Sequence, residues 1–542
     1  MNSPTGPLRL LIGVTGHLDL CDRHPDQLRA AVADALGLLG GPSRVPVVVL
    51  SALARGADRV VAGVALEMGC ELVAVLPMPP DLYASSLIEN SGDTPESIKE
   101  FWRLLGLAHN TCIVPPARSD PEAAYMAVGR DIARCSHILL AVWDGEGLEA
   151  DGGTAWVVNE RRGLHATGLP SEALPRGPIY HIAVHRQDQC PRSLPRLDGS
   201  WLDASPEAAG ESLQEIHSQI ETFNRDASRR FPDQPRPSIE LFYKIADALA
   251  IRFRHLTGLA FGFIFAAVFL AAVSFAIYAH SEEHPLPFFG GYMVSLIVGG
   301  AVLAIAKLLD FQNKGQDYRA LAEGLRVAWS WRLMGIADFV SSTYLPRQTG
   351  EAGWIRQALA SFEHIACDDS TTSSPATLSR TIKHWARPEL EYFERSAGRL
   401  HARTKWFNGI SKFCAAASVF FALVTFANTR LDTAPGNFVH TRLEAFFILS
   451  TATAVAGALL HNFVEKRAWH EHERRYGSMK ALLTDVLARL DAVERDEHCV
   501  LTPQETAKTV DLLRAVGQKA LDENGEWLEI HRDRPLDIPH GG

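Results

Sequence analysis

Three glycine-bearing turns carry the residue types that could hold an anionic ligand: "GVTGH" (13–17), "SALARGAD" (51–58) and "WDG" with "GGT" (143–154). Glycine lets the backbone approach an anion closely, and free N–H groups at a helix start bind phosphate. Gly13, Gly16, Gly56, Gly145, Gly152 and Gly153 supply that freedom. Thr15, Ser51 and Thr154 can add hydroxyl donors, and His17 or Arg59 a cationic one. Arg55 and Asp58 complete the second turn, Trp143 and Asp144 the third, and Pro77 stiffens a further turn, "LPMPP" (76–80). These residues form the candidate ligand-binding set. The acidic members leave a second chemistry open, in which the site cleaves what it holds.

Such turns need a frame. Short apolar runs at 8–14, 46–50, 71–76, 110–114, 137–143 and 179–184 alternate with helical patterns such as 26–39 and 57–69. Strands alternating with helices predict an α/β, Rossmann-like, doubly wound parallel sheet. In that fold ligands bind beyond the carboxyl ends of the strands. The distinctive turns fall at those ends, which makes a shared site a stronger reading than isolated turns.

The ordered motifs "GVTGH…SALARGAD…AVLP…AVWDG…GGT" resemble the SLOG superfamily, which unites DNA-processing protein A with the LOG nucleotide-processing enzymes. The resemblance covers about residues 8–184. "DYRALAEGLRVAWSW" (317–331) and "ALDENGEWLEIHRDRP" (520–535) are similar to the SLATT type of membrane module, two transmembrane helices followed by cytoplasmic ones. Such fusions imply a bacterial anti-phage defence effector. Its head would bind a nucleotide-derived signal, of cyclic-nucleotide or NAD/ADP-ribose type, and its membrane part would act on the cell. LOG hydrolases carry P-G-G-x-G-T-x-x-E, whose glutamate assists cleavage of the N-glycosidic bond. Here Val157 stands at that position and Glu160 follows three residues later. The first loop reads Gly16-His17-Leu18, without the arginine of the related pattern. A site without its acid/base carboxylate is expected to bind rather than cleave, with a membrane-tethered nucleotide or NAD glycohydrolase as the alternative.

The chain has 542 residues and a formal net charge of −10, so bulk charge gives no case for nucleic acid as a partner. Its eight cysteines lack C-x-x-C or paired spacing, which argues against a zinc site or a disulfide framework and suits a reducing compartment. His461, His470 and His472 read as a solvated face. No metal and no cofactor are expected. No signal peptide is recognisable at the N-terminus.

Four runs are apolar enough to enter a bilayer: 256–279, 285–306, 413–429 and 445–464. The first would extend roughly 36 Å as a helix, more than the hydrocarbon core of roughly 30 Å. Lys244, Arg252, Arg254, Lys307, Lys314 and Arg319 flank the outer ends of the first pair, whereas its connecting turn has no Lys or Arg. Lys and Arg favour the cytoplasmic side. The pattern therefore predicts two hairpins in the bacterial inner membrane, with both termini and all domains cytoplasmic. "AIRFRHLTG" (250–258) aligns with "HARTKWFNG" (401–409), which suggests an internal repeat. Gly258, Gly262 and Ala266, and Gly291, Ser295 and Gly299, lie at the four-residue spacing of close helix pairs. No ionisable residue sits mid-span, which disfavours a transporter and leaves a pore or membrane-disrupting homo-oligomer. The expected segments are a head (1–185), a linker and helical arm (186–250), a first membrane module (251–366), a linker (367–399) and a second module (400–542).

Overall fold

The computed structural model describes the chain apart from residues 1–5, 22–24, 42–44, 115–120, 147–151, 165–176, 191–196, 229–236, 282–283, 337, 346–351, 367–374, 432–436, 467–468, 495–502 and 533–542. Glu282 and Glu283 of the first hairpin turn, and most of the loop read at 367–377, lie outside the described residues.

Among the described residues, seven strands form one sheet: β1 (Leu10–Gly16), β2 (Val47–Ser51), β3 (Glu71–Leu76), β4 (Asn110–Ile113), β5 (Ile138–Trp143), β6 (Ile179–Ala183) and β7 (Gly199–Leu202). Their order is β4-β3-β2-β1-β5-β6-β7, parallel except for β7 against β6. Helices α1 (Pro25–Gly40), α2 (Ala57–Glu67), α3 (Pro80–Ser91), α4 (Pro95–Leu107), α5 (Pro121–Cys135) and α6 (Thr154–Arg161) connect the strands. The central strands are near-continuous apolar runs because both sheet faces are covered: β5, "ILLAVW", is buried at every position. Strand order reverses between β1 and β5, which pair from Ile12↔Ile138 to Gly16↔Val142. The crevice at such a reversal is where open α/β sheets hold ligands.

The remaining helices are α7 (Pro206–Ser228), α8 (Ile239–His280), α9 (Leu286–Leu308), α10 (Phe311–Leu333), α11 (Gly353–Ile365), α12 (Pro375–Leu431), α13 (Asn437–Lys466), α14 (Trp469–Glu494) and α15 (Pro503–Arg532). The chain forms two compact units. One comprises Met1–Leu249, Ala320–Ser373 and Leu513–Gly525, and the other the rest.

The sheet unit is larger than the run of motifs implies. The segment read as linker and arm supplies β7 and α7. On β7, Trp201 lies edge-on to Tyr180 with ring centroids 5.0 Å apart. On α7, the Asn224 amide donates to Leu8 O and accepts from Leu8 N, both at 2.9 Å. That pairing satisfies a buried backbone group on each side of one residue, so α7 belongs to the core. Helix α11 is buried over most of its length. It joins the same unit through Ser361, whose hydroxyl accepts from Arg9 N at 3.3 Å and donates to Arg9 O at 3.1 Å. The Tyr344 hydroxyl donates to Asn524 Oδ1 at 2.6 Å and so brings in part of α15.

Among the described residues, four helical stretches, with their apolar parts in the other unit, are long and apolar enough to cross a membrane: Ile239–His280, Leu286–Leu333, Glu394–Ala427 and Glu444–Lys466. Their apolar side chains lie largely uncovered. Phe263, Val294, Ile297, Phe413 and Phe420 are each at least 60% exposed, as lipid-facing residues would be. Small residues mediate close helix approach at some of the expected positions. A Cβ on Gly299 would lie 3.1 Å from Ala267 Cβ, and one on Gly291 3.3 Å from Ser274 Oγ. Gly262, by contrast, faces open space. Between α12 and α13 the Ser411 hydroxyl donates to Gly457 O at 2.9 Å.

Candidate functional site

A cavity of about 470 Å³ opens at the carboxyl edge of the sheet, within the size range of small-molecule sites. Of the candidate set, Thr15, Gly16, His17, Asp58, Pro77, Trp143, Gly152, Gly153 and Thr154 line it. Gly13, Ser51, Arg55, Gly56, Arg59, Asp144 and Gly145 do not. The two groups differ for physical reasons.

The first two turns lock onto each other through their backbones. Ala57 N donates to His17 O at 3.0 Å, and His17 N donates to Val142 O at 3.1 Å. Gly56 adopts φ +83°, and a Cβ there would collide with His17 O and Leu18 O. A Cβ on Gly16 would meet Ala57 Cβ and Val142 O. These glycines permit turn-to-turn packing rather than the approach of an anion. Gly13 likewise leaves room for Ser136 and Ile132 of the neighbouring helix and its end.

Arg59 cannot serve as the free cation that the sequence suggests. It is 6% exposed, its Nε donates to Leu53 O at 2.9 Å, and its guanidinium pairs with Asp93 at 3.1 Å. A buried guanidinium needs such partners, and they consume its donors. Ser51 is also internal, accepting from Leu53 N at 3.1 Å. Arg55 Nη1 donates to Gly92 O at 3.3 Å. Gly145 takes φ +80° in the turn beyond β5.

Among the described residues, the arginine that does line the cavity is Arg186, which follows β6 and belongs to none of the motifs. Its Nε donates to Asp144 Oδ2 at 3.0 Å. Asp144 also lies 3.0 Å from His17 Nε2 through Oδ1, and its own amide N is 3.1 Å from that nitrogen. Burial raises the Asp144 carboxyl, but hydrogen bonds from His17, Arg186 and the Glu146 amide outweigh it and hold the group below its ordinary value. Asp144 thus orients a lining histidine and a lining arginine. Leu20 bridges Arg186 in antiparallel fashion, and a Cys21–Cys190 disulfide joins the same two loops. The cysteine spacing gives no sign of this bond, because the partners stand 169 residues apart.

Asp58 is the other distinctive lining group. Burial pushes its carboxyl up to about 7, against the opposing hydrogen bonds of the Ala54 and Ala52 amides and the Ser51 hydroxyl. On the opposite lip, α6 begins at Thr154 after Gly152 (φ +77°) and Gly153, with no side chain capping its first turn. The N-terminal end of α6 therefore borders the cavity, through Gly153, Thr154 and Ala155. Trp143 Nε1 is buried there without a hydrogen-bond partner.

Val157 lines the cavity, whereas Glu160 does not. Glu160 is 7% exposed and bonded to Arg134 Nε at 2.6 Å. Tyr83, Leu87 and Tyr125 form an aromatic and apolar wall that lies outside every motif. The two rings lie 6.2 Å apart, and Tyr125 Oη is 2.5 Å from Ser86 Oγ. One signal points to Tyr83 and Leu87 in the sequence: α3 starts directly after the Pro77 turn at the ligand edge, so its first turns must border the crevice. Asp19, Glu122 and Glu146 add carboxylates to the lining.

Compared with known proteins, the chain matches no family model and no curated sequence.

Proposed function

We propose that the chain is a membrane-embedded effector of bacterial anti-phage defence, whose head binds a nucleotide-derived signal and thereby rearranges the membrane helices of a homo-oligomer. One observation carries the binding half: an uncapped helix start, Arg186 and an aromatic wall converge on one cavity at the strand-order reversal. The first two suit a phosphate and the third a base. Val157, where related hydrolases have glutamate, offers only methyl groups. Asp19, Glu122 and Glu146 make a ligand with one or two phosphates a better fit than a polyphosphate, because each added charge is repelled. The membrane half rests on four apolar helices with uncovered side chains, on the motif resemblance and on a Lys/Arg asymmetry that favours a cytoplasmic head. Ligand binding acts on the membrane only if it favours one of two helix arrangements.

The test is a titration of the full chain in lipid vesicles with cyclic nucleotides, NAD and ADP-ribose. At least one should bind and release an entrapped dye, and Arg186→Ala should weaken its binding at least tenfold. Failure of every member to bind would overturn the sensing reading. Binding with no dye release would overturn the effector reading.

Asp58 favours a second reading, a membrane-tethered nucleotide or NAD glycohydrolase. A carboxyl raised to about 7 inside a cavity is suited to proton transfer. Release of free base from NAD or a nucleoside monophosphate, abolished in Asp58→Asn, would establish it.

A further inference from the structure

Away from the cavity, α5 and α11 bury three ligand-type side chains together. Asp131 and Cys135 lie four residues apart, on one face of α5. His364 is the penultimate residue of α11. Asp131 is 7% exposed, Cys135 4% and His364 0%. One ligand atom from each lies within 4.8 Å of the others. We propose that Asp131, Cys135 and His364 form a closed binding site for one divalent transition-metal ion of the zinc class, which clamps α5 to α11. The Ser341 hydroxyl or a water completes the coordination.

The histidine is already oriented as a ligand. Its Nδ1 lies 2.7 Å from Ala360 O, so that nitrogen carries the hydrogen. Nε2 is then the atom that faces Asp131 Oδ2, at 2.8 Å. A metal-binding imidazole is commonly fixed in this way, by a carbonyl on its other nitrogen. A bare Nε2 and an ionised carboxylate would repel at that distance, so a positive centre must sit between them. The Cys135 thiol meets the other carboxylate oxygen, with Sγ 3.3 Å from Asp131 Oδ1.

The charge balance favours an ion equally well. With protons, the cluster is an imidazolium, a carboxylate and a thiol, with net charge zero. A divalent cation replacing the Nε2 proton and the thiol proton leaves a neutral imidazole, a carboxylate and a thiolate around two positive charges. The net charge is again zero, so exchange leaves no uncompensated charge in the interior. Bond lengths of about 2.0–2.3 Å in a tetrahedral shell need ligand separations of about 3.3–3.6 Å, so the Nε2–Oδ2 pair, at 2.8 Å, has to open by at least about half an ångström.

The Ser341 hydroxyl lies beside the Cys135 thiol and the Glu363 carboxylate, in the interior. The mixed thiolate, imidazole and carboxylate set suits zinc rather than calcium or magnesium.

The test uses the full chain in detergent, stripped with a chelator and then titrated with Co²⁺. A thiolate-to-cobalt charge-transfer absorption should saturate at one ion per chain and disappear when one equivalent of Zn²⁺ is added. Cys135→Ala keeps the Asp131–His364 pair and should remain folded, but it should lose that absorption entirely. His364→Gln should lower zinc content, measured by mass spectrometry, at least tenfold. Folded wild-type protein that takes up neither ion, or a cobalt absorption that persists in Cys135→Ala, overturns the proposal.

Discussion

Replacing Asp58 with asparagine should change how stability depends on pH, in a direction that the structure dictates. The Asp58 carboxyl is raised from 3.8 to about 7, chiefly because it is buried. The folded chain therefore holds this proton more tightly than the unfolded chain. Stability associated with Asp58 is complete below about pH 4 and is lost as pH rises through about 7. Raising a carboxyl by one pH unit corresponds to about 1.4 kcal/mol, so the fully ionised group costs about 4 kcal/mol at high pH. Between about pH 5 and pH 8 the accumulated cost is about 2–3 kcal/mol. Asp58→Asn removes this contribution. It also disturbs the acceptors of the Ala54 and Ala52 amides, but that loss is the same at every pH. The assay is thermal unfolding of wild type and variant in detergent, near pH 5 and near pH 8. The gap between their midpoints should move in favour of the variant at the higher pH, by on the order of 5 °C. Parallel pH profiles would refute the reasoning, since all other titrating groups are common to both proteins.

Other substitutions test separate links. Gly56→Ala places a side chain at φ +83° against His17 O; it should destabilise the sheet unit by about 1–3 kcal/mol in denaturant unfolding and weaken ligand binding in the same protein. Asn224→Ala strands both polar groups of Leu8 and should cost about 2–4 kcal/mol by the same measurement. Glu160→Gln breaks the pairing with Arg134 and should lower stability without altering any base-release rate. A base-releasing activity that vanished in this variant would contradict the assignment of Glu160 to the interior.

The parallel strands are legible in the sequence because burial on both faces leaves uninterrupted runs such as Leu10–Val14 and Ile138–Trp143. Strand β7 is not: it is four residues long, sits at the sheet edge, and is half-buried. For the candidate site, the turns at the sheet edge name Thr15, His17, Trp143 and Gly152–Thr154, which the structure brings to one cavity, since strand ends are local features. They mislead over Arg59, because the pairing that removes it from the cavity reaches Asp93, 34 positions away. Arg186 is hidden for the converse reason: only tertiary pairing with Asp144 brings it to the rim. Cys135 and His364 stand 229 positions apart in sequence, and no spacing rule could have joined them.

The sheet unit is assembled from three separate stretches, the last at Leu513–Gly525. Within it, Asn524 meets Tyr344, and a Cβ on Gly517 would collide with the Trp331 ring. All four apolar stretches precede that final piece in the chain. During synthesis the head therefore cannot close its core until both hairpins have left the ribosome. A truncated product would carry apolar helices joined to an unfinished sheet unit, so order of translation itself delays a complete sheet unit until the apolar helices exist.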